Sequence, residues 1–187
     1  MSINSELKRL YRAMNEDYAA ACARSREAAL RALKPGEQAP AMTGIHGEAE
    51  RANFASRAIE YGRQAQTLVD AAMKEARTAA AAPPSAEALN SVQMLSLNPS
   101  ASAKDFQLIM ERYGDNLQTA KTLHGIAMSR KLNVNFRNAT ADRLEAMENL
   151  SLDIPKTFSV ETLEKHGGTS ALFDYLVEGA IDAAFEP

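Results

Sequence analysis

Apolar and small positions in the first 33 residues recur at spacings of three and four: Leu7, Leu10, Tyr11, Met14, Tyr18, Ala21, Cys22, Ser25, Ala28, Ala29 and Leu33. That period is helical, and no Gly or Pro interrupts it, so one long helix is expected over residues 3–33. Pro35-Gly36 stops it, and Glu37 to Gly47, with Pro40 and Gly44, reads as a loop. A second long helix is expected from about Glu48 to Ala81, with a seam of Ala52, Ala55, Ile59, Gly62, Ala65, Val69, Ala72, Met73 and Ala76. Small residues on such a seam let backbones approach closely, which predicts an antiparallel helical hairpin.

Beyond Pro83-Pro84 the pattern shortens. Ser85 caps a helix through Leu97, which Asn98-Pro99 ends. Ser102 and Asp105 are spaced as a capping box for a helix through Tyr113, with Gly114 at its stop. Asp115 with Gln118 opens the next, to about Lys131. Thr140 caps another to about Ser151, with Pro155 after it. Ser159 starts a short helix that Gly167-Gly168 closes, and Thr169 or Ser170 caps a last one running to about Phe185. Leu132 to Phe136 is the one candidate extended stretch. The expected fold is all-α: a long N-terminal antiparallel hairpin followed by a C-terminal bundle of short helices.

Composition sharpens that division. Of 35 Ala in the 187 residues, 22 lie in residues 1–82, where Leu, Ile, Val and Phe together number only 10. The remaining 105 residues hold 26 of them. The first share is too small for a self-sufficient core, whereas the second suits a small globular unit. Two domains are therefore expected: 1–82, an Ala-rich hairpin serving as an oligomerisation element or partner arm, and 83–187, a small helical domain. A net charge of −3 offers no global field for nucleic acid or anionic lipid. No apolar run approaches the ~20 residues of a membrane span, and the N-terminus lacks a signal-peptide core, so a cytoplasmic location is expected. The single Cys excludes an intrachain disulfide framework and a Cys-rich zinc site.

Candidate chemistry is sparse. His46 falls in the first loop, His124 inside a helix and His166 at a helix end, none in an HExxH motif; there is no P-loop, GxGxxG or GxSxG. A non-enzyme is expected, with no catalytic, cofactor-binding or metal-ligating residues. Residues 101–131 are spaced like a helix-turn-helix, but of Lys121, Arg130 and Lys131 only Lys121 lies early enough to face bases, and Asp115 would repel phosphate. The last helix is more informative. Asp174, Glu178, Asp182 and Glu186 form an acidic stripe, opposite Leu172, Phe173, Leu176, Val177, Ala180, Ile181 and Ala184. Like charges four apart repel, and acids near a C-terminus oppose the helix dipole. Such a helix either packs its apolar side on its own domain or docks another subunit, with a basic partner facing the stripe. The candidate partner-binding residues are Phe173, Asp174, Leu176, Val177, Glu178, Ile181 and Asp182.

The run Leu89-Asn90-Ser91-Val92-Gln93-Met94-Leu95, then Phe106 to Asn116 with Tyr113-Gly114-Asp115-Asn116, then Ala120 to Ala127, resembles a segment of small helical proteins from the head-morphogenesis regions of tailed bacteriophages and prophages. The resemblance spans about residues 84–132. It implies a phage protein in the host cytoplasm or the virion, and a head-assembly or virion-associated factor acting through protein–protein contacts. A capsid-assembly component is then the expected partner, and self-association is expected through residues 3–81. The alternatives are a phage-encoded inhibitor or modulator of a host enzyme, such as a defence nuclease, and a helix-turn-helix DNA-binding regulator.

Overall fold

The computed structural model describes residues 2–34, 37, 44–136, 138–166 and 171–185. Among them are eight α-helices and no strand: α1 (Ile3–Ala32), α2 (Glu48–Ala80), α3 (Ala86–Leu97), α4 (Ala103–Tyr113), α5 (Leu117–Ser129), α6 (Ala139–Thr157), α7 (Val160–Lys165) and α8 (Ala171–Phe185). The chain is all-α, with two long helices first and shorter ones after. None of the described helices is long and apolar enough to cross a membrane.

Local chemistry explains most boundaries. Ser2, Ser85, Ser102 and Ser159 each accept a hydrogen bond from a backbone N–H in the first turn of the helix they precede, satisfying a donor that has no intrahelical partner. At α4 the capping box is complete: the Ser102 N–H donates to the Asp105 carboxylate at 2.8 Å. That bond and the Ser102 hydroxyl hold the Asp105 carboxyl below its ordinary range. Two caps differ from expectation. Asn116, not Asp115, caps α5, and Asn138, not Thr140, caps α6. Asn138 is buried, and its amide also donates to the Gly114 carbonyl, a tertiary contact that local spacing does not reveal. Helix α6 also continues through Pro155, which was expected to follow it. Proline there removes the bond to the Ser151 carbonyl in the final turn, where the cost is smallest. Leu132–Phe136 is irregular rather than extended in a sheet. Gly114 has φ −69°, so its need for a glycine is steric: a Cβ would lie 2.3 Å from the Met110 carbonyl oxygen. The expected stops at Pro35-Gly36 and Gly167-Gly168, the cap at Thr169 or Ser170, and Pro40 lie outside the described residues.

The chain divides into two compact units that do not coincide with the halves 1–82 and 83–187. One comprises Met1–Ala71 with Met147–Glu186; the other comprises Ala72–Ala146. In the first, α1 and α2 run antiparallel, joined by the ion pairs Arg24–Glu50 and Arg57–Asp17 and by Tyr18 packed edge-on to Phe54 at 5.3 Å between ring centroids. The buried stripe of α2 begins with Phe54 and Ala58 rather than Ala52, Ala55 and Ile59; Ile59 is exposed. The bulky ring sets the rotation of that end of the helix, and from Gly62 to Met73 the expected seam is the buried one, with Ala76 half-buried. Gly62 earns its place by closeness: a Cβ there would stand 3.1 Å from the Phe158 Cβ. The apolar face of the α1–α2 pair is covered by residues from 147 onward, with Met147, Leu150, Ile154, Phe158, Val160, Leu163, Val177 and Ile181 buried in this unit. A poor apolar content in residues 1–82 is thus compensated within the same chain, not by an independent fold.

The second unit has its own core of Leu95, Ala101, Phe106, Met110, Ala120, Leu123, Ala127 and Val134. Side chains of α5 and its flanks close the ends of neighbouring helices here. Arg130 donates to the carbonyls of Ser96 and Asn98, while Asn116 and Gln118 donate to those of Ala82 and Ala81.

Candidate functional site

Helix α8 lies on α1, burying Val177, Ile181 and Ala184 and setting its half-buried carboxylates along the flank that faces α1. Three polar rungs join the two antiparallel helices. Asp174 accepts from the Tyr11 hydroxyl at 2.8 Å and the Asn15 amide at 3.1 Å. Glu178 accepts from Arg12 Nε at 2.8 Å and pairs with its Nη2 at 2.7 Å. Asp182 pairs with Lys8 and accepts from Asn4 at 3.0 Å. Between and beside the rungs, Val177, Ile181 and Ala184 are buried. Glu186 lies outside the described residues.

Val177, Ile181 and Ala184 of the expected apolar side are buried, and the acidic stripe finds its basic partner on α1 of the same chain rather than on another subunit. Tyr11 is 1% exposed and Asn15 8%, so each needs an internal partner for its polar group. Leaving such a donor buried and unpaired costs about 1–3 kcal/mol, and Asp174 relieves both. Burial, more than its carboxylate neighbours, pushes the Tyr11 hydroxyl far above its ordinary range, so it stays protonated and donates. The exposed rungs contribute little stability individually, ~0–1 kcal/mol each. Burying Val177 and Ile181 contributes roughly 1.5–3 kcal/mol apiece. Apolar burial holds α8, and the polar rungs choose which way round it sits.

The consequence lies on the other side of the helix. Leu172, Tyr175 and Leu176 are 68%, 75% and 59% exposed, and Gly179, Ala180 and Ala183 are exposed beside them. No charge interrupts this outward stripe. Along its edge runs a groove of about 340 Å³ lined by Leu150, Thr157, Phe173, Leu176, Val177 and Ala180, with the Lys156–Asp153 ion pair at its rim. Of the seven residues proposed from the sequence, Leu176 faces outward, and Phe173 is half-buried at the groove. Val177 and Ile181 are buried, while Asp174, Glu178 and Asp182 are engaged with α1. The sequence pattern missed Tyr175 and Leu172 as surface residues. The available signal was the complementary polar periodicity of α1, where Asn4, Lys8, Tyr11, Arg12 and Asn15 recur at the spacing of the acidic stripe.

The histidines are not brought together. The His46 backbone is fixed by Ser25, whose hydroxyl accepts from its N–H at 2.6 Å and donates to its carbonyl. His124 lies 5.0 Å from the Phe136 ring, and His166 stacks on Phe173 at 4.3 Å. The half-buried Cys22 thiol is pushed upward by burial. Among the described residues, no cluster of three or more His, Cys, Asp or Glu is arranged to hold a metal ion. Comparison with family models, curated proteins and solved structures finds no match for this chain.

Proposed function

We propose that this chain is a non-enzymatic protein that works through protein–protein contact, as a head-assembly or virion-associated factor of a tailed phage. The contact role is carried by one observation: α8 engages its carboxylates with α1 and turns an uncharged row of Leu172, Tyr175 and Leu176 outward, beside a groove. Contiguous exposed apolar surface of this kind marks interaction sites. The phage setting comes from the resemblance over residues 84–132. A DNA-binding role gains less support, because Arg130 is spent on the Ser96 and Asn98 carbonyls and on the face of Phe106.

The test is recovery of partners by the full chain from its native source, alongside the variant Tyr175→Glu/Leu176→Glu. A defined partner should accompany the wild type and be lost with the variant, whose thermal unfolding stays unchanged. Capsid or portal components among the lost species support assembly; a host nuclease in their place would make the protein an inhibitor. If no partner depends on this face, the contact role of α8 is wrong.

A further inference from the structure

The outward face of α8 is graded in size. Its N-terminal half carries Leu172, Tyr175 and Leu176; its C-terminal half carries Gly179, Ala180 and Ala183. A Cβ built on Gly179 would meet nothing within 4 Å, so that half is open. We infer that this face pairs with the same face of a second copy of the chain, α8 against α8 in antiparallel orientation, to form a weak, reversible dimer. The inference rests on the contact reading above and names its occupant.

Self-complementarity supports a second copy. About a two-fold axis passing near residues 177–178, the large half of each helix lies over the small half of the other, as an isologous contact requires. Tyr175 of the second copy then stands across Ala180, which lines the groove of about 340 Å³ and leaves room for the ring. A parallel pair would instead set Leu and Tyr on Leu and Tyr and leave a gap over Gly179. Electrostatics permit the antiparallel approach. The stripe is uncharged, and the flanking carboxylates of Glu178 and Asp182 face Arg12 and Lys8 in their own chain, so like charges do not meet. Antiparallel helix dipoles also oppose favourably. The patch is small, Leu172, Tyr175 and Leu176 with Gly179, Ala180 and Ala183 on each side against the ~20–30 residues of a standard interface, which fits a concentration-dependent dimer rather than an obligate one.

Sedimentation velocity of the full chain, from low to high micromolar, should show a monomer passing into a dimer. Ala180→Arg, at an exposed position, should weaken dimerisation at least tenfold while leaving thermal unfolding unchanged. Ala183→Arg serves as a second variant should the first disturb folding. Orientation is read by mixing Leu176→Cys and Ala180→Cys proteins, each carrying Cys22→Ser. The mixture should form a disulfide-linked heterodimer faster than either protein forms a homodimer. A monomer at every concentration, or a dimer indifferent to both Arg variants, overturns the second copy as occupant. Partner recovery sensitive to Tyr175→Glu/Leu176→Glu would even then leave the contact role standing, so the two readings fail separately.

Discussion

Lys131 stands at φ +57°, among the described residues the one non-glycine position with positive φ. It ends α5 in a paired closure: the Leu132 N–H reaches the Ala127 carbonyl and the Lys131 N–H the Met128 carbonyl, both at 2.9 Å. That pattern needs a left-handed residue, which an L side chain adopts at a cost and glycine does not. Lys131→Gly should therefore stabilise the protein by about 1 kcal/mol, measured by urea unfolding followed on the second unit. A second residue-level expectation concerns Glu178. Were the acidic stripe solvated, Glu178→Lys would relieve repulsion and be neutral or slightly favourable. Because Glu178 faces Arg12, the substitution should instead cost on the order of 1 kcal/mol. That loss should shrink with added salt, and Arg12→Glu in the same chain should recover part of it.

At the scale of an element, α8 shows how an amphipathic pattern can be read correctly while the helix is rotated part of the way round. Ile181 and Leu176 both belong to its apolar side in sequence, yet they are 2% and 59% exposed. Ile181→Ala should cost roughly 2–4 kcal/mol of stability, as truncation of a buried aliphatic side chain does. Leu176→Ala should stay within about 0.5 kcal/mol. Equal losses in equilibrium unfolding would mean that α8 sits in the rotation the sequence pattern alone favours. The first half of α2 is a parallel case. Its row of Ala52, Ala55 and Ile59 is as periodic as the buried one, and the size of Phe54 decides between them by filling the space against Tyr18.

At the scale of the molecule, the chain leaves its first unit at residue 71 and returns to it at 147. The composition break near Pro83-Pro84 is real, but it is not where cooperativity should break. Residues 1–82 alone would expose Leu7 and Tyr11 and leave Lys8, Arg12 and Asn15 without their partners on α8. That fragment should therefore lack cooperative thermal unfolding, and co-expression with residues 147–187 should restore it. A cooperative transition in 1–82 by itself would show that the hairpin is independent of the returning segment.

Most of the secondary structure was determined by the sequence itself, because caps and periods act over three or four residues. Ser85 and Ser102, the capping box and the stop at Asn98 each rest on partners in the same turn. The all-α class follows from their repetition. Where partners were distant, only the tertiary structure decided. Asn138 rather than Thr140 caps α6 because it also reaches Gly114, 24 residues away. The outward stripe of α8 was likewise undetermined by α8. Its buried Val177, Ile181 and Ala184 are flanked by carboxylates on one side and by Leu172, Tyr175 and Leu176 on the other. Which flank turns toward the protein depends on α1, roughly the whole chain away in sequence, where Tyr11 and Asn15 are buried and require an acceptor.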